Sequence, residues 1–435
     1  MRAGPTFSSL AERNYRLFFA GALASNAGTW MARTAQSWLV LVELTEHSSS
    51  ALGYVTAAQF LPMLVLAPWA GLIADRFAKR RVLVVTQLGM GLMQGLLAVL
   101  TLAHVVTLPQ VYVLSFLTGA FAAVDAPARQ AFVSEVVGPD LLPNAVGLNS
   151  ANFNAARLIG PALAGLLIAV VGTGWVLAIN ALSYVAIIVS LTRMDPRRLF
   201  PSPAARGKGQ IREGIAYVAA RGDILLILAI VFLQGTFGMN FQMTTALMAT
   251  TVFHKGPGEF GLLGSIMAVG SLTAALLVAR RQNPRLRTVL VALAAFAVTM
   301  VAAALAPTYE AFAVLLIPVG LAAMTILPTC NSLVQLSVEP EMRGRVMAIY
   351  LAIFMGGTPL GSPLLGWIGD AWGARWTLLV GAAAALLALA GSLGYLVGYR
   401  GVRVRYRRGQ SPHLVVAARP ARPIPPPEPL PEITQ

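Results

Sequence analysis

Long apolar runs separated by short polar breaks dominate this chain from the region of Leu17 to that of Val397. A run of about 20 apolar residues is what one helical crossing of a bilayer requires. Twelve are read, at 17–42, 51–73, 82–103, 109–133, 143–171, 174–192, 223–250, 259–279, 288–306, 309–334, 344–368 and 374–398. The class expected is an all-α membrane protein with twelve transmembrane helices. Between the sixth and seventh runs, Pro196, Pro201, Pro203, Gly207 and Gly209 interrupt regular structure. Ile211, Ile215 and Val218 then recur at helical spacing against Arg212, Glu213 and Arg221, the pattern of a short amphipathic helix on a membrane surface. After Arg400 the chain turns basic and then proline-rich, a composition that buries no core and is expected to be irregular or polyproline-like. The chain thus divides into an N-terminal half at 1–192, a linker at 193–222, a C-terminal half at 223–399 and a tail at 400–435.

Gly119 and Gly320 stand 201 residues apart, and so do Pro127 and Pro328, Pro139 and Pro340, Gly160 and Gly361, Gly165 and Gly366, Gly172 and Gly373, and Trp175 and Trp376. A gapless register over so long a stretch predicts two six-helix units in the same orientation. They are parallel repeats about an axis along the membrane normal, with a substrate site between them near the midplane.

Composition sharpens this picture. Apolar residues make up 57% of the 435 and charged residues only 11%, far below the charged quarter of a soluble globular chain. The net charge of +15 does not point to nucleic acid, because it lies between apolar runs and not on a soluble basic face. With the N-terminus in the cytoplasm, Arg76 to Arg81, Arg193 to Arg221, Arg280 to Arg287, Arg343 with Arg345, and Arg400 to Arg422 all fall inside, while the opposite loops hold only Lys255 and Arg375. Both termini are therefore expected in the cytoplasm of a cell whose inner membrane the chain crosses. The first apolar run is too long for a cleavable signal and follows a polar start, so none is expected. The single Cys330 lies in an apolar run and excludes a disulfide framework.

After the second run the chain reads Gly71-Leu-Ile-Ala-Asp75-Arg76-Phe-Ala-Lys79-Arg80-Arg81, and here it resembles the major facilitator superfamily, with Ala78 where a second glycine is usual. The resemblance implies that this loop latches the two halves in the outward-facing state. Gly71 permits a tight helix end, Asp75 can sit at the positive N-terminus of a neighbouring helix, and the basic residues anchor at the cytoplasmic interface. The fifth run carries Gly147, Ala156, Gly160, Pro161, Ala164 and Gly165, similar to the antiporter motif of drug-exporting branches with small residues in place of two glycines. Ordinary small-residue packing is the alternative reading. In the fourth run the arginine the family would place before Thr118-Gly119 is Ser115. Asn14-Tyr-Arg-Leu-Phe-Phe, Gly28-Thr-Trp-Met, Trp38-Leu-Val, Asp125-Ala-Pro-Ala-Arg-Gln and Arg343-Gly-Arg-Val-Met add a likeness to the enterobactin-exporter and macrolide-efflux branch, over roughly residues 10 to 400.

Ionisable groups inside apolar runs point to mechanism, since each costs about 2.5–3.5 kcal/mol at a helix centre on insertion scales and needs a partner or water. Arg33, Arg157, Asp125 and Arg129 are the ones read here. Asn26, Thr29, Arg33 and Gln36 share one helical face, and Asn149 and Asn152 mark another, so a polar, partly cationic cavity wall is expected in the N-terminal half. Asp125 either binds the coupling proton or is a fixed counter-ion for Arg129, Arg157 or Arg80. Arg33 and Arg157 either attract an anionic or carbonyl-rich substrate or satisfy helix-end carbonyls. The C-terminal half offers neutral polar groups, among them Gln234, Asn240, Gln242, Thr245 and Asn331, and many methionines, a surface suited to bulky apolar cargo.

His47, His104, His254 and His413 fall in loops, helix ends or the tail, leaving no cluster for metal or nucleophilic chemistry, and no phosphate-cradling glycine loop is present. The function expected is a monomeric, cofactor-free secondary exporter of small, largely lipophilic molecules, driven by protons. An uptake carrier or a non-transporting receptor on the same fold is the alternative.

Overall fold

The computed structural model describes residues 5–200, 211–279, 284–398, 403–406 and 414–417. Twelve helical spans form in the expected order. Span 1 is Arg13–Trp38 continued by Leu39–Leu44, and span 2 is Ser49–Val65 with Ala67–Arg76. Span 3 is Lys79–Leu102, span 4 Leu108–Val136, span 5 Leu142–Val171 and span 6 Thr173–Thr192. Span 7 runs in pieces from Gly222 to Val252, followed by span 8 at Pro257–Ala279, span 9 at Leu286–Ala304, span 10 at Tyr309–Ser337, span 11 at Pro340–Trp372 and span 12 at Ala374–Gly398. Among the described residues, ten helices are each long and apolar enough to cross a membrane, and the two pieces of span 2 make an eleventh crossing. Span 1 completes the twelve; Asn26, Thr29, Arg33 and Gln36 lower its hydropathy because one face of it is polar.

Local sequence explains several ends. Ser48 and Thr308 each accept a hydrogen bond from the amide three residues on, of Ala51 and Ala311, and so cap spans 2 and 10. Thr107 and Gln110 close a capping box on span 4. Spans 5 and 6, like spans 11 and 12, are joined by one glycine each. Gly172 (φ 85°) and Gly373 (φ 95°) take a left-handed conformation that other residues resist, which lets a long helix reverse in a single residue.

Two spans depart from the expected continuous helices. Span 2 bends by 60° between its pieces, where Pro68 opens the second and supplies no amide to the ladder. Span 7 breaks at Met239 and Asn240 after a wide π turn at Gln234–Gly238. Gly357 and Gly361 of span 11 press on Thr236 there, and the Asn240 side chain donates to the Thr236 carbonyl at 2.7 Å, replacing a lost ladder bond.

Each set of six spans packs as its own bundle, and the bundles meet along two seams, span 2 against span 11 and span 5 against span 8. Glycines make both seams possible. A side chain on Gly53 would strike the Ser362 carbonyl, one on Gly366 would strike Ser49 and Ser50, and one on Gly165 or Gly261 would strike the facing helix. The repeat is visible in these contacts: Gly119 faces span 2 as Gly320 faces span 8, and Gly160 faces span 1 as Gly361 faces span 7.

The amphipathic stretch of the linker forms Ile211–Ala219, held to span 11 by Arg345–Glu213 at 2.7 Å. Residues 201–210 lie outside the described residues. In the tail, where irregular chain was expected, Arg403–Tyr406 pairs antiparallel with Leu414–Ala417; the proline-rich end lies outside the described residues. The Asn14-Tyr-Arg string proves to be an anchor: Asn14 exchanges hydrogen bonds with the Asp195 backbone (2.9 and 3.0 Å), and Tyr15 donates to the Ala145 carbonyl at 2.8 Å.

Candidate functional site

A cavity of about 310 Å³ lies between the halves, walled by spans 1, 2 and 5 on one side and 7, 8, 10 and 11 on the other. Trp30, Arg33 and Gln36 come from span 1, Gln59 and Phe60 from span 2, and Arg157 and Pro161 from span 5. Opposite stand Met239, Asn240, Gln242, Met243 and Thr245 at the break of span 7, Phe260 and Met267 of span 8, Met324 of span 10, and Phe354 and Thr358 of span 11. Charge thus enters from the N-terminal half and methionine surface from the C-terminal half, while both halves supply aromatic rings.

Of the expected cavity residues, Arg33, Gln36, Arg157 and Asn240 line it, and others do not. Asn26 donates to Asn152 at 3.1 Å, and Asn152 donates to the Phe19 carbonyl at 3.1 Å, so this pair joins span 1 to span 5. Asn331 accepts from Gln335 at 2.6 Å on the same helix. Gln234 is buried in the π turn of span 7, and Asn149 lies beyond the lining. Helical periodicity places a residue on a face; it does not say whether that face meets a cavity or a neighbouring helix. Gln36 is itself tied, donating to Ser115 at 2.8 Å, so the serine standing where the family has an arginine is engaged with span 1. Trp30, Gln59 and Phe60 were missed. A glutamine in an otherwise apolar second run was the available signal.

The two cavity arginines sit on aromatic faces. The Arg33 guanidinium carbon is 5.0 Å from the Trp30 ring centre and 5.7 Å from that of Phe60, and Arg157 is 5.7 Å from Trp30. Arg157 also reaches the Met324 sulfur at 3.5 Å. Among the described residues neither donates to a helix-end carbonyl.

Asp125 lies outside the cavity, within the N-terminal bundle. It accepts from Thr86 (2.8 Å), Gln87 (2.7 Å) and Arg129 (2.9 Å), so Arg129 is its counter-ion, and Arg80 instead donates to the Leu191 and Thr192 carbonyls at the end of span 6. Tyr184 of span 6 stands within electrostatic reach of Asp125, Arg129 and Arg33. Asp125 is not the only buried acid of the spans. Span 4 extends past the expected end at residue 133, and Glu135 in its last turn is buried against Lys79 at 3.0 Å.

The halves touch at one end and part at the other. At the closed end Asp370, in the last turn of span 11, accepts the backbone amides of Ser49 and Ser50 (2.6 and 3.0 Å) and caps span 2 from across the seam. Trp38 of span 1 and Phe260 of span 8 stack with ring centres 6.4 Å apart. At the other end Asp75 and Arg76 are exposed, and a side chain added at Gly71, Gly147 or Gly344 would meet nothing within 4 Å. Of the remaining small residues of the antiporter-like string, Gly160 admits Trp30, while Gly165 and Pro161, which also lines the cavity, meet span 8.

Comparison with known proteins agrees with this architecture. The family described as "Transmembrane secretion effector" matches residues 4–404. The chain is 31% identical to the multidrug efflux pump Tap of Mycolicibacterium fortuitum, over 83% of this chain and 91% of that one. It is 27% identical to the staphyloferrin A transporter of Staphylococcus aureus over 60% and 66% of the two chains, and 23% identical to macrolide efflux protein A of Streptococcus pyogenes over 85% and 93%. Among solved structures, a nucleoside transporter superposes with a TM-score of 0.69 over 88% of this chain and 99% of that one at 13% identity. A D-xylose–proton symporter gives 0.69 over 88% and 97% at 15% identity, and both show the same fold. The chain therefore belongs to the transmembrane secretion effector family of the major facilitator superfamily and is a multi-pass membrane transporter.

Proposed function

We propose that this transporter exports small, largely lipophilic molecules across the cell membrane by alternating access, with both termini and the Asp75 loop in the cytoplasm and proton antiport as the driving reaction. The observation that carries the reading is a cavity between the halves, rich in aromatic and methionine surface and closed at one end only. With positive residues inside, the closed end is the outer one and the structure is the inward-facing form. The names of the relatives, two of them efflux proteins and one a staphyloferrin A transporter, support export of organic molecules.

Spans 2 and 11 run antiparallel, since Gly53 faces Ser362 while Leu64 faces Gly356. Asp75, at the end of span 2, therefore lies opposite the start of span 11, just as Asp370 at the end of span 11 lies on the start of span 2. Release of one cap and formation of the other gives the two end states, and neither acid spans both. Asp125 is the coupling candidate, with Arg129 as the group it leaves. Protonation neutralises Asp125 and frees Arg129 to take another partner.

The test is efflux of fluorescent neutral and anionic lipophilic compounds from proteoliposomes, with and without an imposed pH gradient. Wild type should accelerate under the gradient and Asp125→Asn should not. Wild type indifferent to the gradient removes proton antiport, and a full response in Asp125→Asn removes Asp125 from the coupling.

A further inference from the structure

Several cations elsewhere in the structure meet carboxylates or carbonyls. Lys79 pairs with Glu135, Arg129 with Asp125 and Arg221 with Asp223, while Arg375 donates to the Ala304 and Ala306 carbonyls. Arg33 and Arg157 have neither. No carboxylate among the described residues pairs with them, and the Arg33 Nε is buried with no hydrogen-bond partner. The two guanidiniums stand within electrostatic reach of each other, and among the described residues the only acceptor touched is the weak thioether of Met324. A guanidinium does not shed its proton, so two of them in a cavity walled by Phe60, Phe260, Phe354 and methionines form a binding surface short of negative charge.

We infer that the molecule this cavity takes up is an amphipathic organic anion, its oxyanion held between Arg33 and Arg157 and its apolar body against the aromatic and methionine wall. The inference rests on the cavity being the cargo site, as proposed above. The guanidinium fork accepts a carboxylate through two parallel hydrogen bonds, and Trp30, which both arginines face, fixes where the forks stand. A cationic lipophilic compound of the same shape meets two like charges and is refused.

Binding of three matched fluorescent probes to the purified full chain in lipid nanodiscs tests this: 1-pyrenebutyrate, its amide, and 1-pyrenemethylammonium. The carboxylate should bind at least tenfold more tightly than the amide, and the ammonium should not compete with it. In Arg33→Gln with Arg157→Gln the carboxylate should fall to the affinity of the amide while the amide itself is unaffected, which separates loss of the anion site from loss of fold. Equal binding of carboxylate and ammonium by wild type, a preference that survives in the double variant, or binding of none of the three overturns the inference. Export fails separately: carboxylate-selective binding without efflux from vesicles leaves the anion site standing and removes the transport reading.

Discussion

Gly160 and Gly361, and again Gly165 and Gly366, do the same thing in the two halves: each lets a neighbouring helix approach where a Cβ would collide. Between these shared positions the halves part company. Thr358 stands 201 residues after Arg157, and Ile326 and Cys330 stand 201 residues after Asp125 and Arg129. Ile326 and Cys330 are fully buried. The same stretch of backbone is therefore compatible with an apolar pair in one half and an ion pair in the other. Packing is duplicated and charge is not, so the ion pair of span 4 is not something this architecture needs in order to fold. A buried pair is in any case weak evidence for stability, because desolvation offsets its attraction.

The strongest way to break that comparison is to make the halves alike. Asp125→Ala leaves the half-buried Arg129, with Thr86 and Gln87, without its acceptor and should destabilise the protein by about 3 kcal/mol, the low end for a broken buried pair. Asp125→Ile with Arg129→Cys, which copies the C-terminal half, should unfold close to the wild-type temperature while losing the response to a pH gradient. A double variant as unstable as the single one would make the pair structural and end its candidacy for coupling.

The glycines offer the next largest effect and test the shared side of the comparison. Gly160→Val crowds Trp30 and Gly361→Val crowds the Thr236 carbonyl, and overpacking of this kind costs typically about 1–3 kcal/mol. Thermal unfolding in detergent should place both below wild type by similar amounts. A silent Gly361→Val would mean that the repeat in sequence is not a repeat in packing.

A smaller effect is expected at the seam, where Asp370 of one half caps a helix of the other. Asp370→Asn removes the charge that caps span 2, a loss on the scale of a helix N-cap, about 0.5–2 kcal/mol. Hydrogen exchange at the Ser49 and Ser50 amides should quicken several-fold, whereas Asp75→Asn should leave those amides unchanged, because Asp75 is exposed in this form. Equal exchange in wild type and Asp370→Asn would show that the closed end is held by packing alone.

Much of this was legible in the sequence. Run length gave the number of spans, and the paired glycines and prolines gave the two halves, because bilayer thickness and backbone proximity leave few alternatives. Arg33 and Arg157 were legible because a charge in an apolar run is rare. Asn26 and Asn152 were misplaced because neutral amides join helices as readily as they line cavities, and spacing alone does not separate the two uses. Asp370 drew no notice. It sits at a helix end near the expected boundary, and its role appears only when span 11 is laid against span 2, a contact between residues more than 300 apart.

The central claim is that the two ends open in turn. Asp140 and Glu341, exposed and 201 residues apart, mark the Asp75 end in the two halves, and exposed Val105 and Leu305 mark the opposite end. Spin labels on cysteines at each pair, with distances read by pulsed electron resonance in nanodiscs at low and high pH, follow both ends in one preparation, and the native Cys330 is buried. As the population shifts, the Asp140–Glu341 distance should shorten while the Val105–Leu305 distance lengthens, or the reverse. Two distances that hold still across pH, or that change together in the same direction, would contradict proton-linked alternating access in this chain.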